Sequence, residues 1–296
     1  MQDVLVSVVI ITYKRPLHIL KRAVKSAVSQ THTALQIIVV NDYPEDFNSN
    51  QAIHEMLHTF EDNRIEYIVH EKNMGACKAR NTGILCAKGD YVALLDDDDE
   101  WLPEKIEKQL AGFTSESIGM VYSPFYNITD NLPGKLAVRG TKSGKLTEDL
   151  LWTNCIGGSS MPLMRREVFD VCGLFDERLL SSQDYDMWLR ISQKFEIACV
   201  NEPLTRRFLL EESITKNFVK KQQGFELFTE KHIELYKNNP EALNYRFNRR
   251  ANKYIEEGHF KEAVDLYKKA IKVKLLSKYN ITEPVKGIIK FILKKR

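Results

Sequence analysis

Short runs rich in β-branched residues alternate with stretches of helical spacing through residue 123, and this alternation limits the possible folds more than any other feature. The runs are Val4–Thr12, Gln36–Asn41, Ile65–His70, Tyr91–Leu95 and Gly119–Ser123. Such alternation is typical of βα units that build a mainly parallel sheet flanked by helices. The sequence therefore predicts an α/β fold, followed over residues 124–160 by a long loop region rich in Gly, Pro, Asn and Ser.

Beyond about residue 220 the apolar residues follow helical spacing throughout. One stretch has the small and aromatic pattern of a single tetratricopeptide-like helix pair, carried by Ala251, Tyr254, Gly258, Phe260, Ala263, Tyr267 and Ala270. We predict an α/β domain over residues 1–220 and an all-helical region over residues 221–296. The helix pair either packs on the first domain or recruits a partner.

Charge is unevenly distributed along the chain, although the net charge is only +3. Residues 261–296 hold eleven Lys and Arg residues against three Asp and Glu residues. Within residues 285–296, Val285, Ile288, Ile289 and Ile292 fall near one helix face, with lysines around them. This segment is either a membrane-surface helix or a solvated, lysine-rich helix end. The rest of the chain lacks a broad basic footprint, so we expect no nucleic-acid partner.

Cysteine usage and hydropathy suggest a cytoplasmic protein. The five cysteines form an odd number without zinc-type spacing, which is typical of reduced thiols. The longest apolar run, Val4–Ile11, is far shorter than the roughly 20 residues that span a bilayer. We therefore expect neither a signal peptide nor a transmembrane helix.

Four polar clusters directly follow predicted strands, and they place a ligand pocket at one edge of the sheet. The clusters are Thr12–Arg15, Asn41–Asp42, Glu71–Gly75 and Asp96–Glu100. A single cluster would be an ordinary turn or helix cap, but four at a common edge predict a binding site. Its candidate donor-binding residues are Thr12, Tyr13, Arg15, Asp42, Asn73, Asp96 and Asp97.

The carboxylates of Asp96–Glu100 are hard oxygen ligands suited to Mn²⁺ or Mg²⁺, which bridge phosphate oxygens. The chain has no G-x-G-x-x-G after its first strand and no GxxxxGK[ST], so phosphates must be held in another way. Strand alternation lets Asp96 and Asp98 share the crevice while Asp97 turns away. The alternative is an acidic cap on the helix that begins near Pro103.

A second candidate is Asp184, at the start of a helix predicted over Asp184–Lys194. An aspartate at this position is often only a cap. A carboxylate held rigidly beside a metal-phosphate site is also well placed to act as a general base. The segment Gly157–Ser160, with its flexible backbone and hydroxyls, is either a contact for a bound sugar or a tight turn.

Taken together, the motifs resemble glycosyltransferase family 2, the inverting nucleotide-sugar transferases with the GT-A fold. The resemblance covers about residues 4–210, and the order and spacing of its motifs are specific. They are Val6–Pro16, Ile37–Asp46, Asn73–Ile84, Gly89–Pro103, Arg165–Leu179 and Gln183–Arg190.

The resemblance implies that Thr12 and Asp42 help hold the nucleotide base, most typically uracil, and that Arg80 lies near the nucleotide. After the second strand the family commonly has an acidic pair followed by Gly-Ser, whereas this chain has Asn41–Pro44. The shape of that loop is therefore expected to differ.

The resemblance also implies a D-x-D pair in which Asp98 contacts the divalent metal and Asp96 lies nearer the ribose or sugar. Asp184 matches the base of the family. The residue before it is Gln183 where the family usually has Glu, which keeps a hydrogen-bonding group and removes one charge.

These implications define an inverting, metal-dependent glycosyltransferase. It would move a sugar from a nucleotide-sugar donor, UDP-linked, to a hydroxyl of a glycan or lipid-linked acceptor in bacterial surface polysaccharide synthesis. The basic tail would bring it to the inner face of the cell membrane. The alternatives are a non-catalytic scaffold that binds nucleotide sugars and a sugar nucleotidyltransferase.

Overall fold

The structure is a computed structural model, and it describes residues 4–129, 132–137, 141–209 and 218–294. The chain forms two compact units. The first contains Met1–Leu146 and Cys155–Phe228, and the second contains Thr147–Asn154 and Thr229–Arg296. Residues 147–154 thus group with the C-terminal helices, which the division at residue 220 did not anticipate.

The first unit begins with repeated βα elements. They are β1 (Val6–Thr12), α1 (Leu17–Val28), β2 (Leu35–Asn41), α2 (Phe47–His58), β3 (Ile65–Val69), α3 (Ala76–Leu85), β4 (Tyr91–Asp96), β5 (Glu100–Trp101), α4 (Lys105–Leu110) and β6 (Ile118–Tyr122). All five predicted strands are present, with ends shifted by one or two residues.

The later elements of the chain include both strands and helices. They are β7 (Phe125–Thr129), β8 (Leu132–Ala137), α5 (Thr147–Trp152), β9 (Leu163–Arg165), α6 (Glu167–Cys172), α7 (Gln183–Ser192), β10 (Glu196–Cys199), β11 (Thr205–Phe208) and α8 (Phe218–Lys231). The expectation of a loop over residues 124–160 was wrong, because β7, β8 and α5 lie within it. β7, β8 and α5 are each at most six residues long, which is too short for a periodic pattern to be recognised in the sequence.

A seven-stranded sheet, in the order β10-β6-β9-β4-β1-β2-β3, forms the centre of the first unit. Its strands are parallel except β9, which runs antiparallel to both β4 and β6. β2 is buried along its whole length, as expected of a parallel strand covered on both faces. The parallel strands β4, β1 and β2 therefore end together at one edge of this sheet.

A second, smaller sheet joins β5, β11, β7 and β8 in that order. Thr205 of β11 pairs with Trp101 of β5 and with Phe125 of β7. The short strand β5 directly follows Asp96–Asp99, four consecutive aspartates that we call the aspartate run. Through β5, the smaller sheet adjoins the end of β4.

The second unit is helical in the part of the chain that the structure describes. Besides α5 it contains α9 (Ile233–Lys237), α10 (Pro240–Glu257), α11 (Phe260–Val273) and α12 (Tyr279–Lys294). α10 ends at Gly258, whose φ of 88° is the left-handed conformation that favours glycine at a helix end. The predicted helix pair is therefore α10 and α11, and the mixed α/β class with a helical C-terminal region is confirmed. Among the described helices, none is long and apolar enough to cross a bilayer.

Close packing of α3 on β1 depends on Gly83, because a side chain there would collide with Val9 Cγ1. Alanine normally stabilises a helix interior relative to glycine by about 1 kcal/mol. We expect Gly83→Ala to do the opposite and to destabilise the first unit by about 1–3 kcal/mol, because overpacking a core forces the backbone to shift. Thermal unfolding of the two proteins measures the difference.

A double variant, Gly83→Ala with Val9→Ala, is the matched test of the cause. Removing the Val9 methyl groups frees the space that the new methyl needs, so the Gly83→Ala change should cost less in this background. Equal costs in the two backgrounds would contradict the packing explanation.

Candidate active site

The ends of β1, β2 and β4 bring three of the predicted polar clusters together. In the register of the sheet, Thr12 lies opposite Asn41, and Ile11 lies opposite Asp96. Because these strands are parallel, their carboxyl ends and the loops that follow form one polar edge. The structure thus gathers the Thr12–Arg15, Asn41–Asp42 and Asp96–Glu100 clusters at one place.

Asp97 fastens the loop after β1 to the aspartate run. Thr12 Oγ1 donates to Asp97 Oδ2 over 2.8 Å, and Arg15 Nε donates to Asp97 Oδ1 over 2.8 Å. Burial raises the pKa of Asp97 to about 6, although the charge of Arg15 opposes the rise. The carboxyl group of Asp97 is therefore occupied by Thr12 and Arg15.

Asp96 and Asp98, the predicted D-x-D pair, are each held by an arginine. Arg15 Nη2 lies 3.2 Å from Asp98 Oδ2, and Arg80 Nη2 donates to Asp96 Oδ1 over 2.9 Å. Arg22 Nη2 also donates to the backbone oxygen of Asp98 over 2.6 Å. Burial and then the negative charge of Asp96 raise the pKa of Asp98. The carboxylates repel one another, and a bound cation would relieve that repulsion.

Asp184 lies in the first turn of α7. Ser159 Oγ donates to Asp184 Oδ1 over 2.8 Å, and Ser182 before the helix adopts a left-handed φ of 62°. Burial raises the pKa of Asp184, the charge of Arg80 opposes that rise and the charge of Asp96 adds to it. A raised pKa makes this carboxylate a stronger base than an ordinary aspartate.

Two connections join Asp184 to the aspartate run. Arg80 is 7% exposed, and it donates to Asp96 and, through Nη1, to Gln183 Oε1 over 2.8 Å. Ser160 Oγ accepts from the backbone N–H of Asp96 over 3.0 Å, while the adjacent Ser159 bonds to Asp184. Asp184 and the aspartate run are therefore held close together by these hydrogen bonds.

Asp42 is 3% exposed and holds the turn that leads into α3. Its Oδ1 accepts from Met74 N over 2.8 Å and lies 2.7 Å from His70 Nδ1, and its Oδ2 accepts from Gly75 N over 2.7 Å. The contact of Asp42 with a nucleotide base stays a prediction, and its observed partners belong to this turn.

A glycine, and not the nearby Asn73, caps the start of α3. The cap position is Gly75, with a φ of 87°, and the helix begins at Ala76. A glycine is suited to this backbone conformation because it has no Cβ. Asn73 is exposed and precedes the cap, and its contact with the donor stays a prediction.

An aromatic pair lies at the ends of β1 and β2. Tyr13 is 44% exposed, and its ring meets that of Tyr43 edge-on at 5.4 Å between centroids. Lys14 Nζ lies 4.6 Å from the centre of the Tyr43 ring. Tyr13 was predicted from the sequence and Tyr43 was not, although Tyr43 directly follows Asp42 at the end of β2 and could have been found from that position.

Arg207 of β11 is a second residue that the sequence analysis missed. Its positive charge acts on Asp98, Asp99 and Asp184, lowering the pKa of each against the burial that raises it. The cation comes from the smaller sheet, more than a hundred residues after the aspartate run, so no local spacing pointed to it. The signal available was the Arg206–Arg207 pair, which lies between the helix predicted after Gln183 and the helical region that begins near residue 220.

The residues present suit a divalent cation bound together with a phosphate-bearing substrate. No group of three or more His, Cys, Asp or Glu side chains converges on one point in the described ranges. Mg²⁺ commonly binds through one or two carboxylates and completes its shell with substrate phosphates and water. The carboxylates of Asp96 and Asp98 meet that requirement, and each pairs with an arginine.

Comparison with known proteins agrees with this geometry. Residues 7–173 match the family described as glycosyl transferase family 2, and the chain belongs to that family of glycosyltransferases. Among its relatives is the UDP-Glc:alpha-D-GlcNAc-diphosphoundecaprenol beta-1,3-glucosyltransferase WfgD of Escherichia coli. The two are 29% identical over 202 residues, which cover 68% of this chain and 75% of WfgD.

Two solved structures share the fold. One is Staphylococcus aureus TarS residues 1–349 in complex with UDP-GlcNAc, with a TM-score of 0.70 at 17% identity over 95% of this chain and 88% of that one. The other is the mannosyltransferase PcManGT of Pyrobaculum calidifontis with GDP-Man and Mn²⁺, with a TM-score of 0.65 at 14% identity over 98% and 88%. The predicted GT-A fold is thereby confirmed.

Asp97 provides a test of the electrostatics of the site. Its pKa in the folded protein, about 6, lies above the ordinary value of 3.8, so the folded state binds this proton more tightly than the unfolded chain. The resulting stabilisation is complete below about pH 4 and is lost as pH rises through about 6. We expect the free energy of unfolding to fall between pH 4 and pH 7, and Asp97→Asn to reduce that fall by about 1–3 kcal/mol. Urea unfolding at both pH values measures it.

The exposed Asp170 of α6 supplies the matched control. Asp170→Asn makes the same chemical change on the surface and should leave the pH dependence as in the wild type. A full wild-type pH dependence in Asp97→Asn would contradict the assignment.

Proposed function

We propose that this protein transfers a sugar from a nucleotide-sugar donor, UDP-linked, to a hydroxyl of a glycan or lipid-linked acceptor, with inversion at the anomeric carbon. The observation that carries this proposal is the double connection, through Arg80 and through Ser159–Ser160, between the aspartate run and Asp184. It sets a candidate base beside a candidate metal-phosphate site, as a direct displacement requires.

The donor would lie over the ends of β1, β2 and β4. Tyr13 offers an exposed aromatic face for the nucleobase, and Thr12, Arg15 and Asp97 hold the loop that carries it. Arg80 and Asp96 lie on the side toward Asp184, where the ribose and the sugar would be expected. The proposal that the donor is UDP-linked is supported by the relative WfgD, whose name gives UDP-Glc as its donor.

A divalent cation, Mn²⁺ or Mg²⁺, would be held by Asp98 and would stabilise the negative charge that develops on the departing diphosphate. Arg207 would add a positive charge at the same place. Arg207 is half-buried, and its charge acts on Asp98, Asp99 and Asp184. It is thus a candidate to contact the diphosphate directly.

The chemical step forms a bond from the acceptor oxygen to the anomeric carbon, while the bond from that carbon to the diphosphate oxygen breaks. The proton of the acceptor hydroxyl passes to Asp184 Oδ2, because Oδ1 is held by Ser159. Gln183 accepts a hydrogen bond from Arg80 without adding a negative charge, so the charge of Arg80 remains available to Asp96 and Asp184. Attack from the face opposite the diphosphate inverts the anomeric centre, and no covalent intermediate with the protein is needed.

The acceptor and the location follow from the same relatives. WfgD is named for an acceptor on a diphosphoundecaprenol carrier. A lipid-linked acceptor of that kind would place this protein in the cytoplasm at the inner face of the membrane, in the synthesis of a bacterial surface polysaccharide.

Asp184→Asn tests the proposed base. It keeps the shape of the side chain and its hydrogen bond from Ser159 but cannot accept the proton. We expect turnover to fall by about 10²–10⁴-fold while donor binding is retained. Nucleoside diphosphate release is measured with Mn²⁺, a panel of nucleotide sugars and undecaprenyl-diphosphate-linked acceptors, and donor affinity by calorimetry.

Asp170→Asn is the control and should react at the wild-type rate. Release of pyrophosphate in place of nucleoside diphosphate would identify a nucleotidyltransferase. Donor binding without turnover in the wild type, across the panel, would identify a binding scaffold. Either result would overturn the proposal.

Arg207→Gln tests the second cation. We expect it to lower turnover by about 10–100-fold, because a charge-assisted contact to the leaving group is lost. The neighbouring Arg206 is the matched control, because it pairs with Glu100 near the surface at 3.2 Å. Arg206→Gln should change turnover less than about threefold. Equal losses in the two variants would contradict a direct role for Arg207.

A further inference from the structure

The face of α12 that packs on α10 is polar. Asn244 Nδ2 donates to Asn280 Oδ1 over 2.8 Å, and Asn252 Nδ2 donates to Glu283 Oε2 over 3.2 Å. Glu283 is 6% exposed, and a side chain at Gly287 would collide with Asn252. α12 therefore lies close against α10 and buries its polar side.

The opposite side of α12 is apolar and exposed. Ile281, Val285, Ile288 and Ile292 follow one another at spacings of four, three and four residues, so they form one stripe along the helix. Their exposed fractions are 72%, 51%, 53% and 51%. An ordinary surface helix turns such a stripe into the core, whereas this helix presents it to the surroundings.

α11 carries a second exposed stripe, whose residues are spaced by four and seven positions. Phe260 and Val264 are 52% and 49% exposed, and Ile271 is 43% exposed. The Phe260 ring meets the Phe291 ring of α12 edge-on at 5.4 Å between centroids. The two stripes are thus neighbours, and we refer to them together as the α11–α12 apolar surface.

Exposed lysines border this surface on α11. Lys261, Lys268 and Lys272 lie beside its apolar stripe, whereas Lys286 and Lys290 of α12 pair with Glu283 and Glu256. An apolar stripe bordered by lysines is typical of helices that lie in the plane of a membrane interface. Anionic headgroups supply the complementary negative charge over a wide area.

We propose that the α11–α12 apolar surface docks on a bilayer that contains anionic lipid, with both helices lying along the interface. The surface is wider than residues 285–296, of which 295 and 296 lie outside the described residues, because it includes α11. This inference does not depend on the proposed function, since docking needs neither donor nor acceptor.

The test is co-sedimentation of the full-length protein with phosphatidylcholine vesicles, with or without phosphatidylglycerol. We expect binding to the anionic vesicles that weakens as salt is added. The double variant Ile288→Ser with Ile292→Ser should bind the anionic vesicles at least about tenfold more weakly than the wild type, because it removes apolar area from the interface. Lys261→Gln with Lys272→Gln should weaken binding only to the anionic vesicles.

A matched control removes exposed apolar residues elsewhere. Leu85 and Val171, in the first unit, are 69% and 55% exposed. Leu85→Ser with Val171→Ser should bind vesicles as the wild type does. Circular dichroism melting and nucleoside diphosphate release without vesicles check that each variant is folded.

Three results would overturn the proposal. In the first, the wild-type protein stays in solution with anionic vesicles, and in the second, the isoleucine variant binds them as well as the wild type does. In the third, sedimentation velocity shows a wild-type dimer that the isoleucine variant does not form and that vesicles do not change. In that case a second copy of the chain covers the surface.

Discussion

The guanidinium of Arg80 is the interaction on which the rest of the site depends. It is buried, it donates to Asp96 at the end of β4, and it donates to Gln183 at the start of α7. These residues are more than eighty positions apart, and no covalent constraint brings them together. A buried cation is costly unless it is paired, so α3 must set Arg80 where both partners can reach it. Pairing the charge of Arg80 thus holds Gln183, and with it the adjacent Asp184, next to Asp96.

The same charge limits the repulsion within the aspartate run. Asp96 to Asp99 are four consecutive carboxylates, and burial raises the pKa of Asp97, Asp98 and Asp99. Arg15 and Arg80 pair with members of the run, and Arg207 adds a further positive charge. A substrate diphosphate would bring more negative charge to this place. Such a site is therefore suited to bind the diphosphate together with a cation, and less suited to bind the diphosphate alone.

Sequence patterns predicted the part of the fold that depends on local periodicity. The five strands through residue 123 and the helix after Gln183 could be found because each shows β-rich composition or helical spacing over five or more residues. β11 could not, because four residues in a small sheet carry no periodic signal, and Arg207 was missed with it. Asp42 shows a different limit. Its place at the strand end was predicted, but its partners, Met74 and Gly75, come from a turn whose backbone conformation depends on Gly75 having no Cβ.

α12 shows why amphipathicity alone does not fix the orientation of a helix. The spacing of Val285, Ile288 and Ile292 defines an apolar stripe, but it does not say whether the stripe faces a core. Here α10 presents Asn244 and Asn252 to α12, and buried amides need hydrogen-bond partners. Asn280 and Glu283 supply them, so the polar side of α12 turns inward and the isoleucines turn outward. The orientation of α12 therefore depends on polar side chains of α10, and the sequence pattern of α12 alone does not reveal these partners.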